Sequence, residues 1–344
     1  MERLARSRNI VLKGIITLLI VMTALIGCGN AQEEQPAAES TNQGDTVKTE
    51  TVTTDKESEQ PGTSETRIVE DHFGEVVIPV KPKRIAAIYL EDYLVALGVE
   101  PIVQWYHPNW GKQDYLNLSA PQFDITGDIE ALLAAEPDLI ISDGFADAAI
   151  YEKYSKVAPT YRLTDDIQNG SSTEILRKIA DLIGEPEKAE ELLKDYDSKI
   201  TDMKTKLQAA IGKETVAVLR LNIGENDINL LGIKNRFVGS ILYKELGLSA
   251  PKLVADMDKF IDSLSMEVLP ELGADHIIIL TSNGTWSSAE NKETIDGLMN
   301  NPIWKSVPAV KNGHVYQVDR SYWQTGAFTA NQLKLKDLER FLPQ

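Results

Sequence analysis

The sequence is poor in the residues from which metal clusters and disulfide frameworks are built. Its 344 residues include one cysteine and four histidines, and the histidines stand singly. One cysteine excludes a disulfide framework, a cysteine-based zinc cluster and an iron–sulfur site, and scattered histidines argue against a multi-histidine metal cage. Basic residues are also in deficit, with 35 Lys and Arg against 52 Asp and Glu and a net charge of −17. Nucleic-acid binding is not expected, because it needs a basic face.

The local motifs of several large enzyme classes are absent as well. The sequence has no G-x-S-x-G, no P-loop, no H-E-x-x-H and no G-x-G-x-x-G after a predicted strand. The many carboxylates follow from the acidic composition and indicate no acid–base pair. An enzyme without a local motif stays open at this point. The 42% hydrophobic content is typical of a globular protein with a substantial core.

Residues 1–27 have the features of a lipoprotein signal peptide. Basic residues outnumber acidic ones at the start, and an apolar run follows over 14–27. At 1.5 Å per residue this run spans roughly 21 Å, short of the ~30 Å hydrocarbon core, so a spanning helix is not predicted. The run ends in Leu25-Ile26-Gly27-Cys28, which resembles the bacterial lipobox, where the chain is cut before a lipidated cysteine. The alternative is a buried cysteine in an uncleaved anchor.

Residues 28–66 are predicted to be the lipidated Cys28 and a disordered acidic tether. Positions 29–66 hold nine acidic residues, two lysines and no aromatic residue. Such a segment buries too little apolar surface to offset its ordering entropy. We therefore expect the folded part to begin at residue 67, held to the extracytoplasmic face of the cell membrane by the lipid.

From residue 67 onward, short apolar strands alternate with helical segments. The predicted strands are 84–89, 101–105, 138–142, 215–222, 276–282 and 314–319, and the predicted helices include 91–97, 129–135, 173–183, 237–246, 265–272 and 332–341. This alternation predicts an α/β fold with mainly parallel sheets covered by helices. A hairpin over 68–78, with its turn at 72–74, precedes it.

One predicted helix, 186–211, is much longer than the others. It has no internal Gly or Pro, and its apolar positions step by three and four along one face. Pro186 suits a first helical turn and Gly212 a helix end. We expect this helix to join an N-terminal lobe, 67–185, to a C-terminal lobe, 212–344. The alternative is an ordinary long surface helix.

Aromatic and polar residues are concentrated in segment 105–115, after the second predicted strand. It contains Trp105, Tyr106, His107, Trp110, Lys112 and Tyr115. In a parallel sheet, ligands bind beyond the carboxyl ends of the strands, where this segment is expected to lie. A ligand site is favoured over a solvated loop whose rings pack on their own domain.

Further candidates follow the predicted strands of the second half. The aromatic ones are Trp286, Tyr322 and Trp323. Arg220 ends an apolar strand, which is costly unless the guanidinium is paired or faces an open cleft. Asp227 and Glu225 are its alternative partners within the protein, and Arg236 is a weaker candidate beside a helix start.

Four segments and the lipobox together resemble the siderophore-type substrate-binding lipoproteins of ABC importers, the long-helix class of binding proteins. The segments are 81–88 (KPKRIAAI), 127–141 (GDIEALLAAEPDLII), 265–275 (SMEVLPELGAD) and 302–316 (PIWKSVPAVKNGHVY). The resemblance covers residue 67 to the C-terminus. It implies two α/β lobes joined by one rigid helix, with a ferric chelate in the cleft between them.

The resemblance also implies roles for individual residues. One exposed glutamate per lobe docks on the permease, and the matching positions are Glu130 and Glu267. The resemblance assigns two kinds of contact with the chelate. Charged contacts are expected from Arg220, Lys112 and Arg236, and packing contacts from Trp105, Tyr106, Trp286, Tyr322, Trp323 and Tyr89. No cofactor, nucleic-acid partner or oligomer is expected, and the partners are the chelate and the permease–ATPase complex.

Few Lys or Arg residues lie near the C-terminal ends of the predicted strands. This favours a hydroxamate or citrate–hydroxamate chelate, which carries less negative charge than a catecholate. Iron is expected to be held by the siderophore, with His107 as a weak candidate for direct ligation. A cobalamin or haem carrier of the same fold stays open, as does a surface lipoprotein enzyme with the cleft as its active site.

Overall fold

The N-terminal part of the fold is a hairpin. A computed structural model describes residues 65–341 except 128 and 226, so the predicted signal peptide, Cys28 and nearly all of the tether lie outside the described residues. Strands β1 (Thr66–Asp71) and β2 (Gly74–Pro79) pair antiparallel, which confirms the predicted hairpin, although β1 begins at the last predicted tether residue. Within 65–341, no helix combines the length and apolar character needed to cross a membrane.

The N-terminal lobe is built on parallel strands. Strands β3 (Ile85–Ile88), β6 (Leu139–Ser142) and β7 (Thr160–Arg162) form one parallel sheet, and β4 (Gln104–Tyr106) and β5 (Gln122–Asp124) form a parallel pair. The helices are α1 (Glu91–Ala96), α2 (Glu130–Ala134), α3 (Ala148–Ser155), α4 (Asp165–Gln168) and α5 (Ser172–Ile183). Strands β5 and β7 were not predicted, because each has only three residues and so shows too little periodicity.

Helix α6 (Pro186–Ala210) confirms the predicted long helix. It follows the last strand of the N-terminal lobe and precedes the first strand of the C-terminal lobe, so it joins the two in the chain. Its buried positions, Ala189, Leu193, Tyr196, Met203 and Leu207, lie on one face, as the three- and four-residue steps predict. Its 25 residues span about 38 Å.

The C-terminal lobe has a mixed five-stranded sheet. Strands β8 (Val216–Leu221), β11 (His276–Thr281) and β12 (Val315–Gln317) are parallel, as predicted. Strands β9 (Ile228–Leu231) and β10 (Ile261–Leu264) extend the sheet antiparallel in the order β10-β9-β8-β11-β12. These two strands were not predicted, because they have four residues each and a polar residue inside.

Most helical segments of the C-terminal lobe are short. They are α7 (Lys252–Ala255), α8 (Lys292–Asn300), α9 (Pro302–Ser306), α10 (Pro308–Lys311) and α11 (Arg320–Trp323). Two predicted helices have other geometry: Ser240–Glu245 is a π-helical turn, and Met266–Glu271 is a 3₁₀ segment. Pro270 lies inside the 3₁₀ segment and removes the backbone donor that an α-helix needs there.

The last helix, α12 (Phe328–Phe341), packs against α1, α5, α6 and α11. Its first turn is bonded to the N-terminal lobe, since the buried Asp92 accepts hydrogen bonds from the backbone of Thr329 (2.7 Å) and Ala330 (3.1 Å). Such an acidic side chain stabilises a helix N-terminus, where the backbone N–H groups have no partner within the helix. Through these hydrogen bonds, α12 of the C-terminal lobe is joined to the N-terminal lobe. The lobe limits 67–185 and 212–344 stay predictions.

Candidate ligand-binding site

A cavity of about 930 Å³ lies where strand ends of the two lobes meet. Its N-terminal wall comes from the segments after β3, β4, β5 and β6, and its C-terminal wall from those after β8, β11 and β12. Ligands of α/β sheets bind at this edge, and the volume is at the upper end of the range for small-molecule sites. The geometry suits one large ligand.

Five of the nine predicted ligand contacts line this cavity. They are Tyr89, Trp105 and Lys112 from the N-terminal lobe and Arg220 and Arg236 from the C-terminal lobe. The prediction placed them at strand ends or in the loop after the second strand, and parallel strands bring those ends to one edge. Their role as ligand contacts stays a proposal.

Tyr89 directly follows β3 and has a left-handed backbone, with φ of +64°. This conformation is rare for a non-glycine residue and is found at sites where surrounding structure over-determines it. The Tyr89 ring lies edge-on to Trp105 at 4.9 Å between centroids. Burial raises the pKa of the Tyr89 phenol to about 12, so it stays protonated at neutral pH. A neutral phenol can offer a hydrogen bond to a ligand.

Trp105 is positioned by a buried carboxyl group. The backbone nitrogen of Trp105 donates to Oε1 of Glu91, whose side chain is almost completely buried. Burial raises the pKa of Glu91 to about 8, so the carboxyl is largely protonated at neutral pH. Its Oε2 has no hydrogen-bond partner within the described part of the chain. Glu91 thus holds β4 at the cavity without adding a full negative charge.

The loop after β4 folds back on itself through its rings. His107 stacks on Trp110 at 3.9 Å, and Nδ1 of His107 accepts a hydrogen bond from the backbone of Asn109 (3.1 Å). Trp110 lines the cavity and is 59% exposed. Among residues 65–341 that are described, no three His, Cys, Asp or Glu side chains are grouped to hold a metal ion. Direct iron ligation by His107 therefore gains no support from its surroundings.

Two arginines face the cavity from the C-terminal lobe. Burial and then the charge of Arg320 lower the pKa of Arg220, and burial lowers the pKa of Arg320. No carboxylate of the described residues lies within 4.0 Å of either guanidinium group, and Nε of Arg220 has no partner. The Gln324 carboxamide lies between them: one amide orientation accepts from Arg220 (3.4 Å), and the other accepts from Arg320 (3.2 and 3.1 Å). Two half-buried cations with no carboxylate of the described residues within 4.0 Å create a place for anionic oxygens.

The alternative partners of Arg220 are occupied elsewhere or lie too far away. Asp227 accepts from Ser263 (2.5 Å) and from Asn222 (2.8 Å), and its charge reaches Arg220 only at longer range. Glu225 lines the same cavity and acts on Arg220 in the same way. Arg220 is therefore directed into the cavity and not into an internal ion pair.

The structure does not bring the other four predicted contacts to the cavity wall. Trp323 is fully buried, and its Nε1 donates to Asp337 (2.9 Å). Tyr322 donates to the same carboxylate (2.8 Å), and Nε1 of Trp286 donates to the backbone of Val318 (2.9 Å). Tyr106, at the end of β4, is absent from the lining. A residue that follows a strand can be placed from the sequence, but the direction of its side chain cannot.

Several lining residues were not predicted. The most consequential are Arg320, Phe145, Asp143 and Gln113. Arg320 directly follows the predicted strand 314–319, and that position was a sufficient signal for a cation at the site. Nothing in the sequence around Phe145 distinguishes its loop from an ordinary connection.

The two predicted docking glutamates lie outside the cavity. Glu130 begins α2, and Glu267 lies in the first turn of the 3₁₀ segment Met266–Glu271. Both side chains are exposed. Each precedes a buried parallel strand, β6 in one lobe and β11 in the other, so the two positions correspond between the lobes.

The sequence profile of the Periplasmic binding protein family matches residues 92–322. The chain belongs to this family. The match begins within α1 and ends within α11, so it includes helix α6, the C-terminal sheet and most of the cavity lining, whereas β3 and Tyr89 precede it. Members of this family are solute-binding proteins, and the cavity of this periplasmic binding protein occupies the cleft between its lobes.

Named relatives and solved structures of this family cover most of the chain. The iron(3+)-hydroxamate-binding protein FhuD of Bacillus subtilis is 32% identical over 313 residues, 88% of each chain. The probable siderophore-binding lipoprotein YfiY of Bacillus subtilis is 29% identical and covers 81% of this chain and 88% of its own. A crystal structure of a FhuD-fold component of a ferrichrome ABC transporter from Bacillus subtilis superposes with a TM-score of 0.66 at 27% identity, over 80% of this chain and 99% of that one. These likenesses confirm the predicted fold class.

Proposed function

We propose that the protein is a lipid-anchored receptor that binds a ferric siderophore outside the membrane and delivers it to an ABC importer. The observation that carries the proposal is the Arg220–Arg320 pair, two cavity-lining cations with no carboxylate within 4.0 Å in the described part of the chain. The rings of Tyr89, Trp105 and Trp110 line the same cavity. An iron chelate presents anionic oxygens and apolar edges together, which fits this lining.

Hydroxamate or citrate–hydroxamate chelates fit the charge of this cavity best. Four cations line it, but Lys112 lies 3.8 Å from Asp114, and Arg236 packs on the Phe145 ring at 4.6 Å. Arg220 and Arg320 have no carboxylate of the described residues within 4.0 Å, although Nη2 of Arg320 donates to the Trp110 carbonyl (3.3 Å). Asp143 and Glu225 add negative charge to the lining. A strongly anionic catecholate complex needs more compensation than this. The name of the 32% identical relative, an iron(3+)-hydroxamate-binding protein, supports the same class.

The siderophore is proposed to hold the iron by itself. Tyr89 stays protonated, Nδ1 of His107 is engaged by Asn109, and no acid–imidazole cluster lies in the described residues. The protein then supplies hydrogen bonds, charge and packing around a complete complex. We propose no catalytic step.

Anchoring and delivery are proposed from the parts of the molecule away from the cavity. The lipidated Cys28 and the acidic tether hold the receptor on the extracytoplasmic face, and Glu130 and Glu267 orient it on the permease. Exposed charges of this kind steer and orient a partner more than they add affinity. The name of the relative YfiY, a probable siderophore-binding lipoprotein, supports the anchor.

An absorbance spectrum tests the nature of the cargo. Full-length protein is extracted in detergent from iron-replete cells, purified and scanned, and its iron content is measured. A broad visible band with about one iron per protein supports the proposal. A Soret band or a cobalamin spectrum overturns it in favour of another carrier of the same fold. A cargo chemically altered on prolonged incubation with the protein overturns it in favour of an enzyme.

A further inference from the structure

The loop between β6 and α3 presents a large apolar ring at the cavity. Phe145 lines the cavity and is 70% exposed, the highest exposure among the large apolar side chains described. Apolar and aromatic side chains dominate the lining of small-molecule sites, so an exposed ring at a cavity is available to pack on a ligand. Ile88, Ile150 and Tyr154 line the same cavity.

The backbone of residues 144–146 is held by hydrogen bonds to side chains. Its own nitrogen donates to Oδ1 of Asp143 (3.1 Å), and the nitrogen of Gly144 donates to Gln168 (3.0 Å). The buried Arg162 donates to the carbonyl of Gly144 (2.7 Å) and to that of Ala146 (3.1 Å). The two residues that flank Phe145 are thus held by one guanidinium group, which also bonds Asp165 (2.9 Å).

The partner of this ring comes from the other lobe. The guanidinium carbon of Arg236 lies 4.6 Å from the centre of the Phe145 ring and 5.4 Å from that of Phe237. A guanidinium at this distance is attracted to the face of an aromatic ring. The contact joins the N-terminal and C-terminal walls of the cavity, because both residues are in its lining.

Arg236 is held as firmly as Phe145. The carbonyl of the next residue, Phe237, accepts from Nζ of Lys334 (2.6 Å), which is fully buried in α12. The same ammonium group bonds the carbonyl of Thr325 (2.5 Å). Gly326 packs against the Arg236 carbonyl so closely that a Cβ there would lie 2.3 Å from the oxygen. These contacts fix the backbone at Arg236 and Phe237.

We propose that Phe145 and Arg236 are the selectivity pair of this site, which admits a compact iron chelate and rejects one with a bulky substituent. The inference rests on the proposed function and deepens it. The Phe145 ring packs on the apolar edge of the chelate, and its contact with Arg236 sets the boundary of the cavity on that side. Arg162 fixes the backbone around Phe145, and Lys334 fixes the backbone next to Arg236. The two side chains therefore do not move apart to admit a larger ligand. A preorganised ring of this kind contributes affinity without an ordering cost.

The test compares two trihydroxamate probes with the same iron centre. They are ferrioxamine B and ferrioxamine B acylated on its free amine with a bulky adamantyl group. Dissociation constants are measured by equilibrium dialysis of radioactive iron with full-length protein in detergent. Variants are Phe145→Ala, Phe145→Leu and Arg236→Met. Phe341→Ala is the matched control, since it truncates a ring that stacks on Tyr316 outside the cavity. Circular dichroism establishes that each variant is folded.

We expect wild-type protein and the control to prefer the compact probe by about tenfold or more. Phe145→Ala binds the compact probe about tenfold more weakly and loses most of the preference, whereas Phe145→Leu, which retains bulk, keeps most of it. Arg236→Met lowers the preference, because the ring loses its partner. An unchanged preference in folded Phe145→Ala overturns the proposal and leaves the receptor function intact. Folded wild-type protein that binds neither probe overturns the hydroxamate assignment, and the selectivity pair with it.

Discussion

Arg220 and Arg320 lie together in the cavity wall with the Gln324 carboxamide between them, and the charge of Arg320 adds to burial in lowering the pKa of Arg220. Arg220 lies near the end of β8 and Arg320 begins α11, so their approach is a product of the fold and not of chain proximity. Two like charges at one place store unfavourable energy that an anionic ligand relieves. This relationship supports assigning the ligand's oxygens to the C-terminal wall.

Replacing Arg220 by alanine is expected to weaken binding of a ferric hydroxamate by ~1.5–3 kcal/mol, the usual loss for a hydrogen bond to a charged group. Arg320→Ala is expected to have a similar effect. The double variant is expected to lose less than the sum, since each single variant also removes the repulsion between the pair. Calorimetric titration measures all three. Arg177→Ala, which breaks the exposed pair with Glu190 (2.7 Å), is the control. Unchanged affinity in folded Arg220→Ala removes this residue from the site.

Tyr89→Phe separates a packing role from iron ligation. The raised pKa of the phenol predicts that Tyr89 is protonated in the protein without ligand. The siderophore is proposed to hold the iron by itself, without a phenolate from the protein. The visible spectrum of the bound ferric chelate is therefore expected to be the same in wild-type protein and in Tyr89→Phe. Affinity is expected to fall only by the loss of one hydrogen bond, about 0.5–1.5 kcal/mol. A charge-transfer band present in wild-type protein and absent from the variant would show direct ligation.

Glu91 is expected to make folding less favourable as pH rises. Burial raises its pKa in the folded protein to about 8, above the ordinary value of 4.5. The folded state thus binds the proton more tightly than the unfolded state, and stability is lost between about pH 4.5 and pH 8. Glu91→Gln keeps the acceptor for Trp105 and has no such dependence.

Thermal unfolding at several pH values measures this difference. The stability of Glu91→Gln relative to wild-type protein is expected to rise by roughly 4 kcal/mol between pH 5 and pH 8.5, which corresponds to many degrees in the unfolding temperature. Glu293→Gln, at an exposed position in the first turn of α8, is the control for a change of one surface charge. A constant difference between wild-type protein and Glu91→Gln across this pH range contradicts the prediction.

The docking role of Glu130 and Glu267 is tested in cells. The double change to alanine is expected to leave siderophore affinity unchanged but to abolish uptake of radioactive iron, because the two positions lie outside the cavity and one is in each lobe. Glu187→Ala with Glu191→Ala, two exposed positions of α6, is the matched control. Normal uptake by the Glu130 and Glu267 double variant, at equal amounts of surface protein, contradicts the assignment.

The architecture could be predicted largely from local patterns. The apolar runs of β3, β6, β8 and β11 are buried on both faces and are easily recognised, and α6 repeats its apolar positions over many turns. Strand β7 has three residues, and β9 and β10 have four each, interrupted by Asn229 or Asp262. Segments of this length carry too little periodicity to be separated from loops.

The site was harder to predict because side-chain direction depends on contacts between distant segments. Trp323 follows a strand as expected, but Asp337 of α12 draws its indole inward. Phe145 is directed at the cavity by Arg162, which belongs to the next strand. Neither relationship is encoded in the spacing of neighbouring residues. Arg320 is different, since its position directly after the predicted strand 314–319 was visible in the sequence.

The central claim is that the cavity binds the iron-loaded form of a siderophore. The most direct measurement is a tryptophan-fluorescence titration of the full-length protein in detergent, because Trp105 and Trp110 line the cavity. The panel contains ferric hydroxamates, citrate–hydroxamates and catecholates, each also without iron, together with haem and cobalamin. We expect saturable quenching by a ferric hydroxamate or citrate–hydroxamate at micromolar concentration or below, about −8 kcal/mol or more favourable, and a much weaker response without iron. Quenching by haem or cobalamin alone, or no response to any ferric chelate from folded protein, would contradict the account.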